Sequence, residues 1–321
     1  MPYDLIILGS GAAGLSAALY AGRYRMKTLV IGKEFGGETA RAGVIWNYPG
    51  AKGIDGYDLM LAMKAQAEDV GATVMDDAVV EAKNEGGCYE VKTMGGKIFN
   101  AKSLILSMGA ERKRLGLANE KDLTGRGVHY CFTCDGPVYT GKTIAVVGGG
   151  DASIKGVNLA SEYAKKIYLL VRGKELKAEP INVEEMMKMV GDKVEILYET
   201  KVEAIFGEKK LEKLVLSKPH NGSSDFLVDG LFIEIGAEPN IKLPMDLGIA
   251  LDQWGYVKVD NMMRTNVDGV CAAGDSTNFF ERFKQDITAA AMGAVAATSA
   301  YNYTKSHGNL CEIHWKPAPD R

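Results

Sequence analysis

The sequence predicts an α/β protein built from two doubly wound layers, and three observations lead to that class. The chain has 321 residues, which is too long for one small core and suits two domains. Hydrophobic residues make up 46% and charged residues 25%, the balance of a globular protein. Two distant segments, 5–34 and 144–175, each contain an apolar strand, a glycine-rich turn, an Ala-rich helix and a second apolar strand.

The two repeated segments share one glycine spacing, G-x-G-x-x-G, with a serine at the last place of the second segment. The motif places are occupied by Gly9, Gly11 and Gly14, and by Gly148, Gly150 and Ser153. The first glycine lets the chain turn sharply, the second lets the backbone approach a pyrophosphate, and the third allows close helix–strand packing. The following helix offers free N–H groups and a positive dipole end to phosphate. The repeat therefore predicts two Rossmann-like dinucleotide sites, commonly one for a firmly held flavin and one for an exchangeable nicotinamide.

Residues beyond the glycines distinguish the two sites. Glu34 lies 20 residues after Gly14, the spacing of an acid that accepts the 2′-hydroxyl of an adenosine ribose, although a solvated loop glutamate fits equally. In the second segment Arg172 directly follows the strand, with Lys174 and Lys177 nearby. Cations at this place suit a 2′-phosphate, which favours NADPH over NADH, while an ordinary basic loop stays possible.

Charge and hydropathy exclude other classes. The formal net charge of −3 provides no basic excess for a phosphate backbone, so no nucleic-acid partner is expected. The N-terminus, MPYDLIILGSG, has no basic region and predicts a first strand with no signal peptide. The weakly polar stretch 287–300 is shorter than a bilayer span of about 20 residues. We expect a cytoplasmic protein without membrane association, whose five cysteines build no structural disulfide framework.

Cys131 and Cys134 form a C-x-x-C in the segment HYCFTCDG, a spacing typical of redox or metal sites. Structural zinc needs four ligands, but the sequence has no second C-x-x-C and its four histidines show no ligand spacing, so no metal is expected. Cys88, Cys271 and Cys311 are scattered. We expect Cys271 to be a small core residue, and Cys311 to be a reactive thiol or an incidental residue of the polar tail.

The order of motifs resembles that of the low-molecular-weight thioredoxin reductases over nearly the whole chain. GSGAAG at 9–14 resembles the FAD fingerprint of the family, GGE at 36–38 its GGQ, and NYPG at 47–50 its N-W/Y-P-G. CFTCDG at 131–136 matches its C-x-T-C-D-G, GGGDAS at 148–153 resembles its GGGNTA, and AAGD at 272–275 with KQ at 284–285 resembles its A-G-D…R-Q-A.

The resemblance implies an architecture in which the second domain is inserted into the first. The FAD-binding domain would be discontinuous, residues 1–114 and 245–321. The NAD(P)H-binding domain, 115–244, would carry the C-x-x-C. The two linking segments, near 114–116 and 237–240, would act as a hinge, and the protein would be a homodimer.

The resemblance also implies a thioredoxin-disulfide reductase that passes electrons from NAD(P)H through FAD to a Cys131–Cys134 disulfide. The electrons would then reach thioredoxin or a thioredoxin-like protein. Cys134 would face the flavin, Cys131 would exchange with the protein substrate, and Asp135 would be the acid/base for the proton.

Two sets of binding residues follow from the resemblance. Within the FAD set, Asp275 would accept a hydrogen bond from the ribityl chain, and the helix 286–301 would point its N-terminus at the flavin ring. The FAD set is Gly9, Ser10, Gly11, Ala12, Ala13, Gly14, Gly32, Glu34, Gly36, Gly37, Glu38, Asn47, Gly109, Gly274, Asp275, Lys284, Gln285 and Asp286. The NAD(P) set is Gly148, Gly150, Asp151, Ala152, Ser153, Arg172 and Lys177.

The chain departs from the family pattern at three places. The family's H-R-R-x-x-x-R is reduced here to Arg172 and Lys177, which admits a relative reduced by ferredoxin. The loop 278–286 is two residues longer and places Asp286 where a small residue is usual. We expect its phenylalanines, at 279, 280 and 283, to pack, although they could cover the flavin or contact a partner. The tail 307–321 is expected to be a docked, irregular extension.

Three rival functions stay open on the sequence. Two use the same scaffold, a ferredoxin-dependent flavin thioredoxin reductase and a flavin-dependent dithiol oxidase. The third is of another class, a non-catalytic nucleotide-sensing module that uses the C-x-x-C as a redox switch or a zinc clip.

Overall fold

The computed structural model describes residues 2–281, 283–307 and 311, and at Thr133 and Cys134 it describes the backbone alone. The chain forms two compact units. One comprises the residues up to Glu111 together with those from Glu238 on, and the other comprises Arg112–Ala237. The sequence places the domain boundaries after residues 114 and 244, and the assignment of a cofactor to each domain stays a prediction.

Helices and strands alternate in parts of the chain, and elsewhere several strands follow one another. From the N-terminus to the first connection they are β1 (Tyr3–Leu8), α1 (Ala12–Arg23), β2 (Thr28–Gly32), α2 (Gly37–Ala40), β3 (Val44–Ile45), β4 (Ile54–Asp55), α3 (Gly56–Asp69), β5 (Thr73–Asp76), β6 (Val79–Glu85), β7 (Cys88–Thr93), β8 (Ile98–Leu106) and β9 (Ala110–Arg112). Next come α4 (Glu120–Leu123), β10 (Val128–His129), α5 (Phe132–Asp135), β11 (Thr143–Val147), α6 (Asp151–Ser161), β12 (Lys166–Val171), α7 (Pro180–Met189), β13 (Val194–Tyr198), β14 (Val202–Phe206), β15 (Lys213–His220), β16 (Ser223–Phe226) and β17 (Gly230–Ile233). The last are β18 (Ala237–Pro239), α8 (Lys242–Asp246), β19 (Val270–Ala272) and α9 (Asp286–Ser306).

The first unit is built on a mixed sheet with the strand order β5-β2-β1-β8-β7-β6. In this order the neighbouring strands β5, β2, β1 and β8 are parallel, and β19 also pairs with β8 in parallel. The strands β7 and β6 continue the sheet beyond β8 with antiparallel pairing. Leu5–Leu8 of β1 are fully buried because both faces of the parallel part are covered, as continuous apolar runs in parallel sheets predict.

Helices α1 and α9 pack against each other on one face of this sheet. Small residues line their contact and let the two backbones approach closely. A Cβ on Gly293 would lie only 2.0 Å from the carbonyl oxygen of Ala13. The Ala-rich run that the sequence predicts as a closely packed helix is therefore confirmed, and α9 extends to Ser306.

The second unit contains a parallel sheet with the order β10-β17-β11-β12-β13 and an antiparallel sheet, β14-β15-β16. Side chains of β11 alternate between two cores, as strand geometry requires. Ile144 and Val146 contribute to the core that includes α6 and α7 residues, while Ala145 and Val147 contribute to the core with β14–β16 residues. The predicted α/β class with two Rossmann-like layers is confirmed.

The cysteines differ from the expectation in one respect. Cys88, on β7, and Cys311 form a disulfide across 223 residues. The expectation that the cysteines build no structural disulfide is therefore wrong for this pair, as is the expectation that Cys311 is a reactive thiol or an incidental residue. Cys271 is a free, buried thiol in β19, as predicted. Of the tail, only His307 and Cys311 belong to the described residues, so the prediction of a docked extension lies outside them.

The loop before α9 also differs from the expectation. Phe279 and Phe280 pack edge to face on each other with ring centroids 4.9 Å apart, but Phe279, Phe280 and Phe283 are still 37%, 40% and 56% exposed. The prediction that the three rings pack therefore holds only for the contact between the first two. The physical reason is a tight turn, in which Phe283 N–H donates to the carbonyl of Phe280 and the segment stays at the surface. None of the helices in the described part of the chain combines the length and apolar character that crossing a bilayer requires.

Candidate active site

The turn between β1 and α1 brings backbone N–H groups to an open cradle. Gly9 has a φ of +117°, and a Cβ there would lie 2.2 Å from the carbonyl oxygen of Ser107. A Cβ on Gly14 would lie 1.9 Å from the carbonyl oxygen of Gly9, so the third glycine permits the close approach of α1. Gly11, the N-cap, has no side-chain cap, and its nearest neighbour for a Cβ is Gly36 oxygen at 3.8 Å. The free N–H groups of α1 therefore face a space without side chains, which suits a phosphate.

Ser107 fastens this turn and was missed in the sequence. Its hydroxyl donates to the carbonyl oxygens of Leu8 at 3.0 Å and Gly9 at 3.2 Å, and the side chain is buried. Ser107 follows β8, the parallel neighbour of β1, and the carboxyl ends of parallel neighbours meet at one sheet edge. A polar residue at the end of a second apolar strand was the signal available.

The loop after β2 forms the other wall of the cradle. Ser10 Oγ donates to the carbonyl of Glu34 at 3.3 Å, and Gly36 N–H donates to the carbonyl of Ser10 at 3.1 Å. A Cβ on Gly32 would lie 2.0 Å from Ser10 Oγ, so the strand end accepts only glycine without rearrangement. The half-exposed carboxylate of Glu34 forms an ion pair with Arg41.

The N-terminus of α9 joins two other predicted FAD segments. Thr39 Oγ1 donates to Asp286 Oδ1 at 2.5 Å, and Asn47 Nδ2 donates to Gln285 Oε1 at 2.9 Å. The structure therefore brings together α2, the NYPG segment and the start of α9. The unusual Asp286 has a local role, because its carboxylate ties α9 to α2.

Asp275 lies in a short helical turn after β19, and its carboxyl has an altered acidity. Burial raises the pKa of Asp275 to about 6, Lys284 opposes the rise, and Asp286 and Glu38 add to it. Burial also lowers the pKa of Lys284, whose ammonium donates to the carbonyl of Thr277 and lies over the ring of Tyr256. Gly109, at the end of the same sheet edge, has a φ of +65° in open space.

The turn between β11 and α6 repeats the first cradle with differences. Gly148 has a φ of +147°, and a Cβ on Gly150 would meet nothing within 4 Å. Ser153 Oγ donates to the carbonyl of Gly150 at 2.7 Å. Asp151, the first residue of α6, accepts from Glu179 N–H at 2.8 Å and from Asn182 Nδ2 at 2.7 Å. Ala152 follows it in the first turn of the helix.

The two predicted 2′-phosphate cations are exposed side chains near this turn. Arg172 follows the last residue of β12, and Lys177 N–H donates to the carbonyl of Gly149 at 2.6 Å. The segment carrying Lys177 is thereby held against the glycine turn, while both cationic ends remain accessible to a ligand.

The C-x-x-C segment is anchored in the second core. Cys131 is partly exposed and disulfide-bonded, and the side chain of Cys134 lies outside the described part. Between them, the ring of Phe132 stacks on Phe232 at 4.0 Å. A Cβ on Gly156 would lie 2.3 Å from the Phe132 ring, so α6 leaves room for this anchor. Asp135 N–H donates to the carbonyl of Cys131 at 3.1 Å, which closes the turn around the cysteines.

A histidine that sequence reasoning considered only as a metal ligand lies beside Asp135. His129 Nδ1 is 3.0 Å from Asp135 Oδ2, and His129 Nε2 is 2.7 Å from Tyr139 Oη. The only signal was its position two residues before the first cysteine. Among the described residues no three His, Cys, Asp or Glu side chains are grouped as metal ligands would be.

Comparison with known proteins identifies the family. Residues 3–296 match the family described as pyridine nucleotide-disulphide oxidoreductase. The thioredoxin reductase of Listeria innocua is 36% identical over 306 residues, which cover 94% of each chain. The chain belongs to the low-molecular-weight thioredoxin reductases.

Solved structures agree with that membership. The thioredoxin reductase of Lactococcus lactis matches with a TM-score of 0.88 at 31% identity, covering 95% of this chain and 99% of that one. The enzyme of T. acidophilum matches with a TM-score of 0.86 at 32% identity, covering 94% of this chain and 98% of that one. The predicted resemblance is confirmed, and membership makes the chain a flavin oxidoreductase that uses a pyridine nucleotide.

The site residues expected of a thioredoxin reductase occur as local groups within the two units. In the first unit, the glycine turn and the β2 loop present N–H donors, among them those at the start of α1, which has no side-chain cap, and Asp275 adds a mostly buried carboxyl. This donor set fits FAD. In the second unit, the other glycine turn and the C-x-x-C belong to one core. The individual roles of these residues are taken up below as proposals.

Proposed function

We propose that this chain is an FAD-dependent thioredoxin-disulfide reductase that takes electrons from NADPH and reduces thioredoxin or a thioredoxin-like protein through a Cys131–Cys134 disulfide. One observation carries the proposal. Cys131 is disulfide-bonded within a C-x-x-C that a carboxylate follows at once, in a thioredoxin reductase with two dinucleotide turns. The short ring of a C-x-x-C disulfide closes with little loss of chain entropy, which suits repeated opening and closing.

The first unit is proposed to hold the flavin. FAD, when bound, accepts a hydride from the nicotinamide and supplies two electrons to the disulfide. The N–H groups of α1 would bind its pyrophosphate, and Glu34 its ribose hydroxyl, with Arg41 as a neighbour. Asp275 would hold the ribityl chain, and the positive end of α9 would stabilise negative charge on the reduced ring.

The cysteines are proposed to act by thiol–disulfide exchange. The Cys131 thiolate attacks one sulfur of the thioredoxin disulfide, forms a mixed disulfide and releases the other sulfur as a thiolate. Cys134 then attacks Cys131, releases the second thioredoxin sulfur and restores the Cys131–Cys134 disulfide. Two electrons pass to thioredoxin, and two protons complete its dithiol. The partly exposed position of Cys131 is compatible with contact to a protein substrate.

Asp135 is proposed to hold and transfer the proton of this exchange. Its side chain is 40% exposed, so its proton can be replaced from solvent. Its backbone is hydrogen-bonded to that of Cys131, which keeps the carboxyl near the cysteines. Proton transfer by a positioned carboxyl typically contributes a factor of roughly 10² to 10⁴ to a rate.

NADPH is the proposed donor because Arg172 and Lys177 are exposed beside the second glycine turn. A planar guanidinium binds a phosphate with two parallel hydrogen bonds, which distinguishes NADPH from NADH. Anaerobic titration of the bound flavin with NADPH, NADH and reduced ferredoxin in turn tests this choice. Bleaching of the flavin by ferredoxin but not by NADPH would reject NADPH as the donor and leave the thiol chemistry intact.

Family membership also supports the proposals that the protein is cytoplasmic and that it is a homodimer. Sedimentation equilibrium of the purified holoenzyme at micromolar concentration measures the oligomeric state directly. A single species of monomer mass would reject the dimer.

Serine variants of the two cysteines test the proposed function. Cys131→Ser and Cys134→Ser should each abolish NADPH-dependent reduction of thioredoxin, while NADPH should still reduce the flavin. The matched control is Cys271→Ala, which alters a buried thiol of the first unit and should leave turnover near that of the parent. Full turnover by either serine variant would reject the proposed function.

A further inference from the structure

His129 is a buried polar residue with a fixed ring. It ends β10, and its side chain is 5% exposed. The imidazole stacks on Phe232 with centroids 5.2 Å apart and meets the ring of Tyr139 edge to face at 5.3 Å. Phe232 also stacks on Phe132 of the C-x-x-C turn, so the same group of aromatic rings positions both the histidine and the cysteines.

Tyr139 is the hydrogen-bond partner of the imidazole at Nε2. Its hydroxyl lies 2.7 Å from Nε2. Burial, followed by Asp135 and Asp229, raises the pKa of Tyr139 to about 12, so the hydroxyl keeps its proton near neutral pH and can donate it. A neutral imidazole that accepts at Nε2 carries its proton at Nδ1.

The Nδ1 atom points to the carboxyl side of the cysteine turn. Asp135 Oδ2 lies 3.0 Å from it, but not along the direction that a hydrogen bond requires, and this buried Nδ1 has no aligned partner among the described residues. A buried N–H without a partner is costly, so the structure has a reason to complete this bond. The Asp135 side chain, 40% exposed, is the member of the pair with freedom to rotate, because the aromatic stack holds the ring.

We propose that His129 is a positioning residue of the thiol exchange, whose Nδ1–H orients the Asp135 carboxylate toward the cysteines, with Tyr139 fixing the required tautomer. The inference rests on the proposed function, since it assigns Asp135 a partner in that same reaction. His129 acts through Asp135 and exchanges no electrons. Three further groups lie near His129, Tyr139 and Asp135. The apolar ring of Phe232 stacks on the imidazole, Asp229 adds to the rise in the pKa of Tyr139, and the ammonium of Lys142 lies 5.2 Å from the Tyr139 ring centroid.

Two substitutions at one position separate orientation from simple packing. His129→Leu removes the donor, whereas His129→Asn keeps an N–H close to the place of Nδ1. With the holoenzyme, we expect His129→Leu to lower kcat for thioredoxin reduction roughly tenfold, a part of what proton transfer contributes, with little change in KM for thioredoxin. The acidic limb of the pH–rate profile should move to higher pH, because the carboxylate loses an N–H donor to its charged form. His129→Asn should recover most of both effects.

The rate at which NADPH reduces the flavin, measured by stopped flow, would change if His129 had only a structural role. It should be unchanged in both variants, as it should in the matched control His220→Leu, which alters a histidine packed between Tyr168 and Phe226 on the other sheet. If His129→Leu does not fold, Tyr139→Phe tests the same inference through the tautomer and should shift the profile in the same direction.

The outcomes distinguish this inference from the function on which it rests. An inactive Cys131→Ser variant with a His129→Leu variant of parental kcat and pH profile overturns the inference alone. Equal losses in His129→Leu and His129→Asn also overturn it, since they would show a packing role. A fully active Cys131→Ser variant overturns the proposed function itself.

Discussion

At the first glycine turn, α1 begins without an acidic side chain and approaches so closely that position 14 has no room for a Cβ. At the second, α6 begins with Asp151, and the equivalent position accommodates the complete side chain of Ser153. The two turns share a strand, a turn and a helix, yet the distance from helix to turn differs. A shared motif therefore specifies the path of the backbone and leaves packing and charge to the surroundings.

The surroundings explain the difference. The first turn is fastened by Ser107 at the end of β8, in the middle of its sheet. The second is fastened by the segment after β12, through Lys177 N–H and the contacts of Asp151. Changes at the first turn should therefore affect stability most, and changes at the second should affect ligand binding.

Exchanging the third residue of the two motifs should have the largest effect. Gly14→Ser would place a Cβ 1.9 Å from the carbonyl oxygen of Gly9 and 2.9 Å from Ser107 Oγ, and we expect a loss of about 3 kcal/mol or more in unfolding free energy. The reverse change, Ser153→Gly, loses one hydrogen bond and adds backbone freedom, at about 1 kcal/mol. Urea unfolding with flavin release as a second signal measures both. Similar losses in the two variants would contradict the difference in helix distance.

The pH dependence of stability should come next in size, because the first unit buries a carboxyl. Since the pKa of Asp275 is about 6 when folded and lies near 4 in an unfolded chain, the folded protein binds more protons between these values. Stability therefore falls as pH rises from about 4 to 6, by up to about 3 kcal/mol, and changes no further above that window.

Urea unfolding of the flavin-free protein at pH 5 and pH 7.5 measures this fall. Asp275→Asn should flatten it, whereas Asp246→Asn, on the exposed surface of α8, should preserve it. A slope that survives Asp275→Asn would assign the effect to other groups.

The repeated units were predictable because their signals are local. Apolar runs, glycine spacing and Ala-rich helices lie within 30 residues of each other, and β1-α1-β2 and β11-α6-β12 appear where those signals stand. The strand β12 ends at Val171, so Arg172 directly follows the strand as the sequence predicts.

Contacts between distant segments were not predictable. Ser107 meets Gly9 only because β8 pairs with β1, and Cys88 meets Cys311 across 223 residues, a pairing that spacing cannot specify. His129 meets Asp135 because β10 and α5 adjoin a common aromatic stack. In each case the missing information was the arrangement of elements in space, which a single sequence does not contain.

At the second turn, a change of charge should alter which nucleotide binds. Arg172→Ala should raise KM for NADPH about tenfold, the loss of one charge-assisted phosphate contact, and leave KM for NADH unchanged. The control is Lys188→Ala, an exposed cation in the last turn of α7, which should change neither value. Equal increases for the two nucleotides would show that Arg172 contributes to the fold of the turn and does not select the phosphate.

Asp151 should give the smallest effect and the sharpest comparison between the turns. Its carboxylate stands at the positive end of α6, where the first turn has no acid, and it would repel a pyrophosphate at the proposed NAD(P) site. Asp151→Asn keeps an oxygen that can accept from Glu179 N–H and Asn182 Nδ2, so the turn should persist while the charge disappears. We expect KM for NADPH and NADH to fall together by about threefold, because a charge at a helix end contributes up to about 1 kcal/mol.

Asp192→Asn, on the exposed loop before β13, should leave both constants unchanged. A rise in KM for Asp151→Asn would instead mean that the charged contact to Glu179 shapes the site, and that the second turn depends on its acid as the first depends on its glycine.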